Sequence, residues 1–144
     1  MPQPTQTYAN HTRLDPAFHF FLLPVSAITV GLATYHAVRH FSFTTFWLIV
    51  LSLAFVVAVL KLRMYALKVQ DRVIRLEERL RLTQILNEPL RSRVGELREG
   101  QLIALRFAPD CECEALVARA LSEGLTNAAI KQSITDWRAD HFRV

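Results

Sequence analysis

Residues 17–60 hold one formally charged side chain, Arg39, in 44 consecutive positions. No other feature restricts the fold as strongly. Helices that are apolar all round need either a large core around them or a bilayer. A chain of 144 residues has too little remaining material to cover such a block. Residues 17–38 (AFHFFLLPVSAITVGLATYHAV) contain no Lys, Arg, Asp or Glu. As a helix they run roughly 33 Å, against a hydrocarbon core of about 30 Å. Residues 41–60 (FSFTTFWLIVLSLAFVVAVL) form a second uncharged stretch. Only Arg39 and His40 separate the two, so the pair reads as an antiparallel transmembrane hairpin. A cleaved leader fits poorly. The preceding segment has one Arg and one Asp, and the apolar stretch exceeds the usual h-region of about 7–15 residues.

Local signals refine the hairpin. Asp15 and Pro16 suit a helix start, as a cap followed by proline in the first turn. Pro24 predicts a kink in the first span, its freed carbonyl being open to a Ser or Thr hydroxyl. Ser26, Gly31 and Ala33 offer small surfaces for helix packing. Orientation follows from basic residues: the loop carries Arg39, whereas Lys61, Arg63 and Lys68 follow the second span. The positive-inside rule then places the C-terminal part in the cytoplasm, and two crossings return the N-terminus there. His36, Arg39, His40 and Trp47 fall at the outer interface.

From Leu32 to Glu88 there is neither Gly after position 31 nor Pro, so nothing marks an end to the second span. Past Leu60 the residues become charged but remain strong helix formers. The pattern predicts one helix from about residue 43 to 86, its second half a stalk over residues 61–88. That stalk holds seven Lys/Arg against four acids, while residues 89–144 hold eight of each, so most of the net +4 lies beside the apolar block. Lys61, Arg63, Lys68 and Arg72 form a basic collar suited to anionic headgroups, at about 1 kcal/mol for each residue near the surface. Leu62, Val69, Leu76 and Thr83 share one heptad position, and Ala66, Val73 and Leu80 the other. Val69, Val73, Leu76 and Leu80 are thus a candidate stripe for a partner, for a second copy, or for the chain's own C-terminal helices. Asp71 with Arg75 and Glu77 with Arg81 have the spacing of i,i+4 pairs.

Punctuation returns after Glu88. Short helices are expected from Pro89 to Leu97, Gln101 to Phe107, Pro109 to Glu123 with Gly124 as stop, and Asn127 to Trp137 capped by Thr126. Leu102, Leu105, Phe107, Leu116, Val117, Ala120, Leu121, Ile130, Ile134 and Trp137 are the expected core. The fold class is therefore all-α. An N-terminal segment (1–16) precedes a hairpin (17–60, with spans 17–38 and 41–60), a stalk (61–88) and a small helical domain (89–144).

Chemistry-bearing patterns are sparse. Cys111-Glu112-Cys113-Glu114 lacks both the usual zinc spacing and a nearby His, and reads as the exposed first turn of a helix. Two cysteines so close do not suit a disulfide. His11, Arg13 and His19 gather at the inner boundary of the first span, and a titratable group there is a candidate polar site. The helices around Gly124 have helix-turn-helix spacing, but a neutral domain with acidic helix edges is a poor phosphate binder, so no nucleic acid is expected. No phosphate-binding glycine loop, Ser/His/Asp arrangement or catalytic carboxylate pair occurs. No cofactor, metal or enzymatic activity is expected.

Several runs resemble a known family. They are Asn10-His11-Thr12-Arg13 with Pro16, Phe18-His19-Phe20 and Pro24; the stalk from Tyr65-Ala66-Leu67-Lys68 through Arg79-Leu80-Arg81; and Trp137-Arg138-Ala139-Asp140. Together they are similar to an uncharacterised bacterial family of small membrane proteins, the domain-of-unknown-function family numbered 6526. The resemblance implies two spans and a cytosolic helical tail in a bacterial inner (plasma) membrane. It implies no activity, cofactor or catalytic residue. The expected role is a membrane-anchored interaction or scaffold module with a protein partner or a second copy. The alternatives are a small membrane enzyme or transport accessory using His11, Arg13 and His19, and an anionic-lipid sensor using the collar.

Overall fold

A computed structural model describes residues 6–10 and 14–140. It is all-helical, with no strand among the described residues. The helices are α1 (Leu23–Arg39), α2 (Phe43–Ile85), α3 (Glu99–Leu105), α4 (Asp110–Ser122) and α5 (Asn127–Ser133). A π-helical turn, Ala17–Leu22, leads into α1, and a 3-10 turn, Arg91–Glu96, lies between α2 and α3. The chain forms two compact units. One holds residues 14–68; the other holds residues 69–140 together with residues 6–10.

In the first unit, Asp15 caps the entry. Its Oδ1 accepts the backbone N–H groups of Ala17 (3.1 Å) and Phe18 (3.3 Å). The next turn is wide: the Leu23 N–H reaches back five residues to the Phe18 carbonyl. Pro24 accounts for it, since proline has no N–H and its ring crowds the carbonyl four residues earlier. The expected kink is thus a π turn. The Ser26 hydroxyl donates to the Leu22 carbonyl rather than to the carbonyl that Pro24 frees. At the tip of the hairpin, Ser42 and Thr45 cap α2 reciprocally: the Thr45 N–H donates to Ser42 Oγ (3.2 Å) and the Ser42 N–H to Thr45 Oγ1 (2.9 Å).

The stretch Ala17–Arg39 and the helix α2 are both long and apolar enough to cross a membrane. Buried residues in this unit are small or few: Ser26, Ala37, Ser52 and Val59. Phe20, Phe21, Ile28, Leu32, Tyr35, Phe46, Leu51, Leu53, Phe55 and Val57 are all exposed. An apolar surface this continuous is far outside what a water-soluble monomer presents. Against lipid tails it carries no such penalty.

The second unit has a conventional core. Leu82 of α2 and Leu86 just past its end pack with Val94, Leu97, Leu102, Leu105, Phe107, Val117, Ala120 and Ile130, with Leu121, Leu125 and Trp137 at the margin. The expected core residues of the short helices all belong to it. Their spacing of three and four made them legible. Gln101 ties three segments together. Its Nε2 donates to the carbonyls of Ala120 (3.1 Å) and Leu125 (3.0 Å), and its Oε1 accepts the Arg98 N–H (2.8 Å). Gly124 closes α4 at φ +63°, a left-handed conformation that suits glycine.

Two expectations change here. The last helix stops at Ser133, not Trp137, because Ile134 turns extended and Glu112 takes the next amides. The two oxygens of Glu112 accept the N–H groups of Thr135 and Asp136, each at 3.0 Å. The cysteine run is not uniformly exposed either: Cys111 is exposed, while Cys113 is wholly buried in the core.

Candidate functional site

The second half of α2 presents two faces with different fates. Ile74, Glu78 and Leu82 are buried, as is Leu86 just past the helix end, and Ile85 packs against the core. The neighbouring stripe is open: Val69 is 62% exposed, Val73 48%, Leu76 61% and Leu80 57%. The stripe singled out by heptad spacing therefore does not cover the chain's own C-terminal helices. That task falls to the parallel row that starts at Ile74. The sequence offers two apolar rows on one helix, and periodicity alone does not say which one the core takes.

On the buried side of α2 lies a charged network that local rules missed. Arg81 donates from Nε and Nη2 to Asp110 Oδ1 (2.9 and 2.6 Å), from Nη2 to the Ala108 carbonyl (2.7 Å) and from Nη1 to Glu78 Oε2 (3.0 Å). Arg138 lies 3.8 Å from the other Glu78 oxygen. Arg75 pairs with Glu99. The expected i,i+4 pairs, Asp71 with Arg75 and Glu77 with Arg81, are not the ones formed. Partners from α3 and α4 displace them: Glu99 takes Arg75 and Asp110 takes Arg81. Burial raises the Glu78 carboxyl above its ordinary value, and Arg81 and Arg138 only partly offset this.

A groove of about 410 Å³ runs beside this network, lined by Gln70, Val73, Ile74, Glu77, Glu78, Arg106, Arg138, Ala139 and Asp140. Both signs of charge meet in it, so it favours neither an anion nor a cation. Asp140 lies 3.5 Å from Arg106 and is bonded through its backbone to Gln6. Cys113 sits behind, 3.5 Å from Arg81 Nη2, its thiol pushed up to about 11 mainly by burial. No group of three or more His, Cys, Asp or Glu able to hold a metal occurs among the described residues.

His11 and Arg13 fall outside the described residues. His19 has its Nδ1 2.8 Å from the Asp15 carbonyl and its ring edge-on to Phe18. Of the collar, Lys61, Lys68 and Arg72 are exposed. Arg63 is turned inward, 3.5 Å from Asp15 and over the Phe18 ring. It thereby joins the entry of the first apolar helix to α2 just past its apolar stretch.

Comparison with known proteins gives one result. Residues 1–144 match the model of a family of unknown function, DUF6526, and the chain belongs to that family. No curated protein and no solved structure matches.

Proposed function

We propose that this family member is a membrane-anchored interaction module. Its apolar hairpin anchors it in a bacterial inner (plasma) membrane with both ends cytoplasmic, and the open stripe of α2 docks a helical partner. The observation that carries this reading is the division of labour on α2. One row of residues fills the core, while Val69, Val73, Leu76 and Leu80, at helical spacing, are left uncovered. A stripe of that kind in a charged helix is costly to leave in water, and helix-in-groove or helix-on-helix docking is the recognition mode it fits.

Other features agree. Gln6 and Asp140 are bonded to each other, which supports a topology that returns both ends to one side. Lys61, Lys68 and Arg72 remain exposed for anionic headgroups near the exit of the apolar stretch. Of the residues that a small membrane enzyme would use, His19 is engaged, its Nδ1 lying 2.8 Å from the Asp15 carbonyl.

The test is capture from native membranes. The full chain is gently solubilised and its co-purifying proteins are compared with those of Val73→Asp and Leu76→Asp. Both positions are exposed, so the variants should keep wild-type helicity and abundance yet lose the bound partner. Unchanged recovery of every partner would remove the stripe from the reading.

A further inference from the structure

The stripe of α2 can be placed in a heptad register. With Ala66, Val73 and Leu80 at a, Val69, Leu76 and Thr83 fall at d. Ile74 and Arg81 are then b, Leu82 is c, and Glu78 and Ile85 are f. Within α2 these b, c and f positions, joined by Leu86 just past its end, are the ones the chain commits to its own core and ion network. The a and d positions are the ones left open. A coiled-coil partner would therefore approach the face directly opposite the intramolecular packing, and nothing in the core would have to move to admit it.

We infer that the occupant of this stripe is a second copy of the chain, parallel and in register, with Arg72 of each copy set against Glu77 of the other. This rests on the interaction-module reading and names its partner. Two observations single out a second copy.

The first is charge. In a parallel pair, each g residue faces the e residue five places on in the other helix. Arg72 is g and Glu77 is e, which makes two symmetric attractive pairs; Arg79 at g faces Gln84. An antiparallel pair would bring g against g, setting Arg72 and Arg79 against the same arginines of the other copy. The second is that these charges are available. Arg72 and Glu77 are exposed and form no ion pair among the described residues, whereas Arg75 and Arg81 are taken by Glu99 and Asp110.

Anchoring supplies what a short seam lacks. About two heptads are marginal between free helices in water. Two copies inserted by identical hairpins emerge pointing the same way, and confinement to one surface raises their effective concentration. The membrane thus selects the parallel arrangement that the charges favour.

The experiment uses the full chain in native membranes, with Cys111→Ser to remove the exposed thiol. Under mild oxidation, Val73→Cys and Leu80→Cys should give disulfide-linked dimers, and Ser122→Cys, exposed on α4, should not. Arg72→Glu or Glu77→Arg alone should lower the Val73→Cys dimer about tenfold, since each turns two attractions into repulsions. Co-expression of the two charge variants should restore it as a heterodimer. Dimers indifferent to both charge changes would overturn the register. A photo-crosslinking residue at position 73 separates the remaining outcomes. An adduct of twice the monomer mass supports a second copy. An adduct only with another protein overturns it while the docking stripe stands. No adduct of either kind overturns both.

Discussion

Gln6 and Asp140 pair in both directions: Gln6 Nε2 donates to the Asp140 carbonyl at 3.1 Å, and the Asp140 N–H donates to Gln6 Oε1 at 2.8 Å. A side-chain amide thereby acts as a backbone partner across nearly the whole length of the chain. If the apolar helices cross a bilayer between these residues, they must cross it an even number of times. Two crossings satisfy this; one does not. With that side cytoplasmic, as proposed, a membrane-impermeant maleimide added to intact spheroplasts should leave Ala9→Cys and the native Cys111 unlabelled, and label Ser42→Cys at the hairpin tip. Ala9 and Ser42 variants carry Cys111→Ser as background. Labelling of Ala9→Cys and Cys111 from opposite sides would contradict the two-crossing topology.

The buried carboxyl of Glu78 sets a pH dependence of unusual sign for an ion-paired acid. Desolvation outweighs the help from Arg81 and Arg138, so the folded carboxyl holds its proton above the ordinary value of 4.5. Between the unfolded and folded values the native state binds more protons than the unfolded state. Stability then falls as pH rises through that window and levels off above it. Urea unfolding of the detergent-solubilised chain, followed from pH 4 to 8, should show this loss. Glu78→Gln should flatten it without a large cost at neutral pH, because Arg81 keeps Asp110 and the Ala108 carbonyl. A curve for Glu78→Gln that still falls with the wild-type slope would assign the effect to another group.

Much of the architecture is legible because it depends on what the sequence omits. One formal charge in residues 17–60 sets the hairpin, and the lack of Gly or Pro between Leu32 and Glu88 sets the length of α2. The interior of the second unit is legible from apolar spacing at Leu116, Val117 and Ala120. What escapes is decided by groups distant in sequence. Asp110 and Glu99 draw Arg81 and Arg75 away from their i,i+4 neighbours. Glu112 ends α5 from another helix. Ile74 rather than Val73 is buried, and helical periodicity holds no record of which apolar row is covered.

The two cysteines should differ in reactivity despite being one residue apart. Cys111 is exposed; Cys113 is enclosed and its thiol is pushed up from 9.0 to about 11, burial being the main cause. At pH 8 almost none of Cys113 is thiolate, which is the reactive form. Iodoacetamide should add one label to the folded chain and two after denaturation, read by intact mass. Two labels at equal rates in the folded chain would show that Cys113 is not part of the core.

Arg81 is the side chain on which the charged network depends. It serves Glu78, which is 6% exposed, and Asp110, which lies at the surface. Arg81→Met should cost about 3 kcal/mol, because it leaves the buried Glu78 charge without its closest partner. Arg81→Lys should recover only part of this, since an ammonium cannot reach Asp110, Glu78 and the Ala108 carbonyl together as the planar guanidinium does. Asp110→Asn should cost under about 1 kcal/mol, its carboxylate being open to solvent. The discriminating variant is the double change Arg81→Met with Glu78→Leu. It removes the buried charge along with its partner, while Arg138, half exposed, can turn to water. It should recover most of the loss from Arg81→Met alone, and thermal unfolding in detergent reads the difference. A double variant as unstable as Arg81→Met would mean that Arg81 acts mainly by holding Asp110 and the Ala108 carbonyl, not by compensating Glu78.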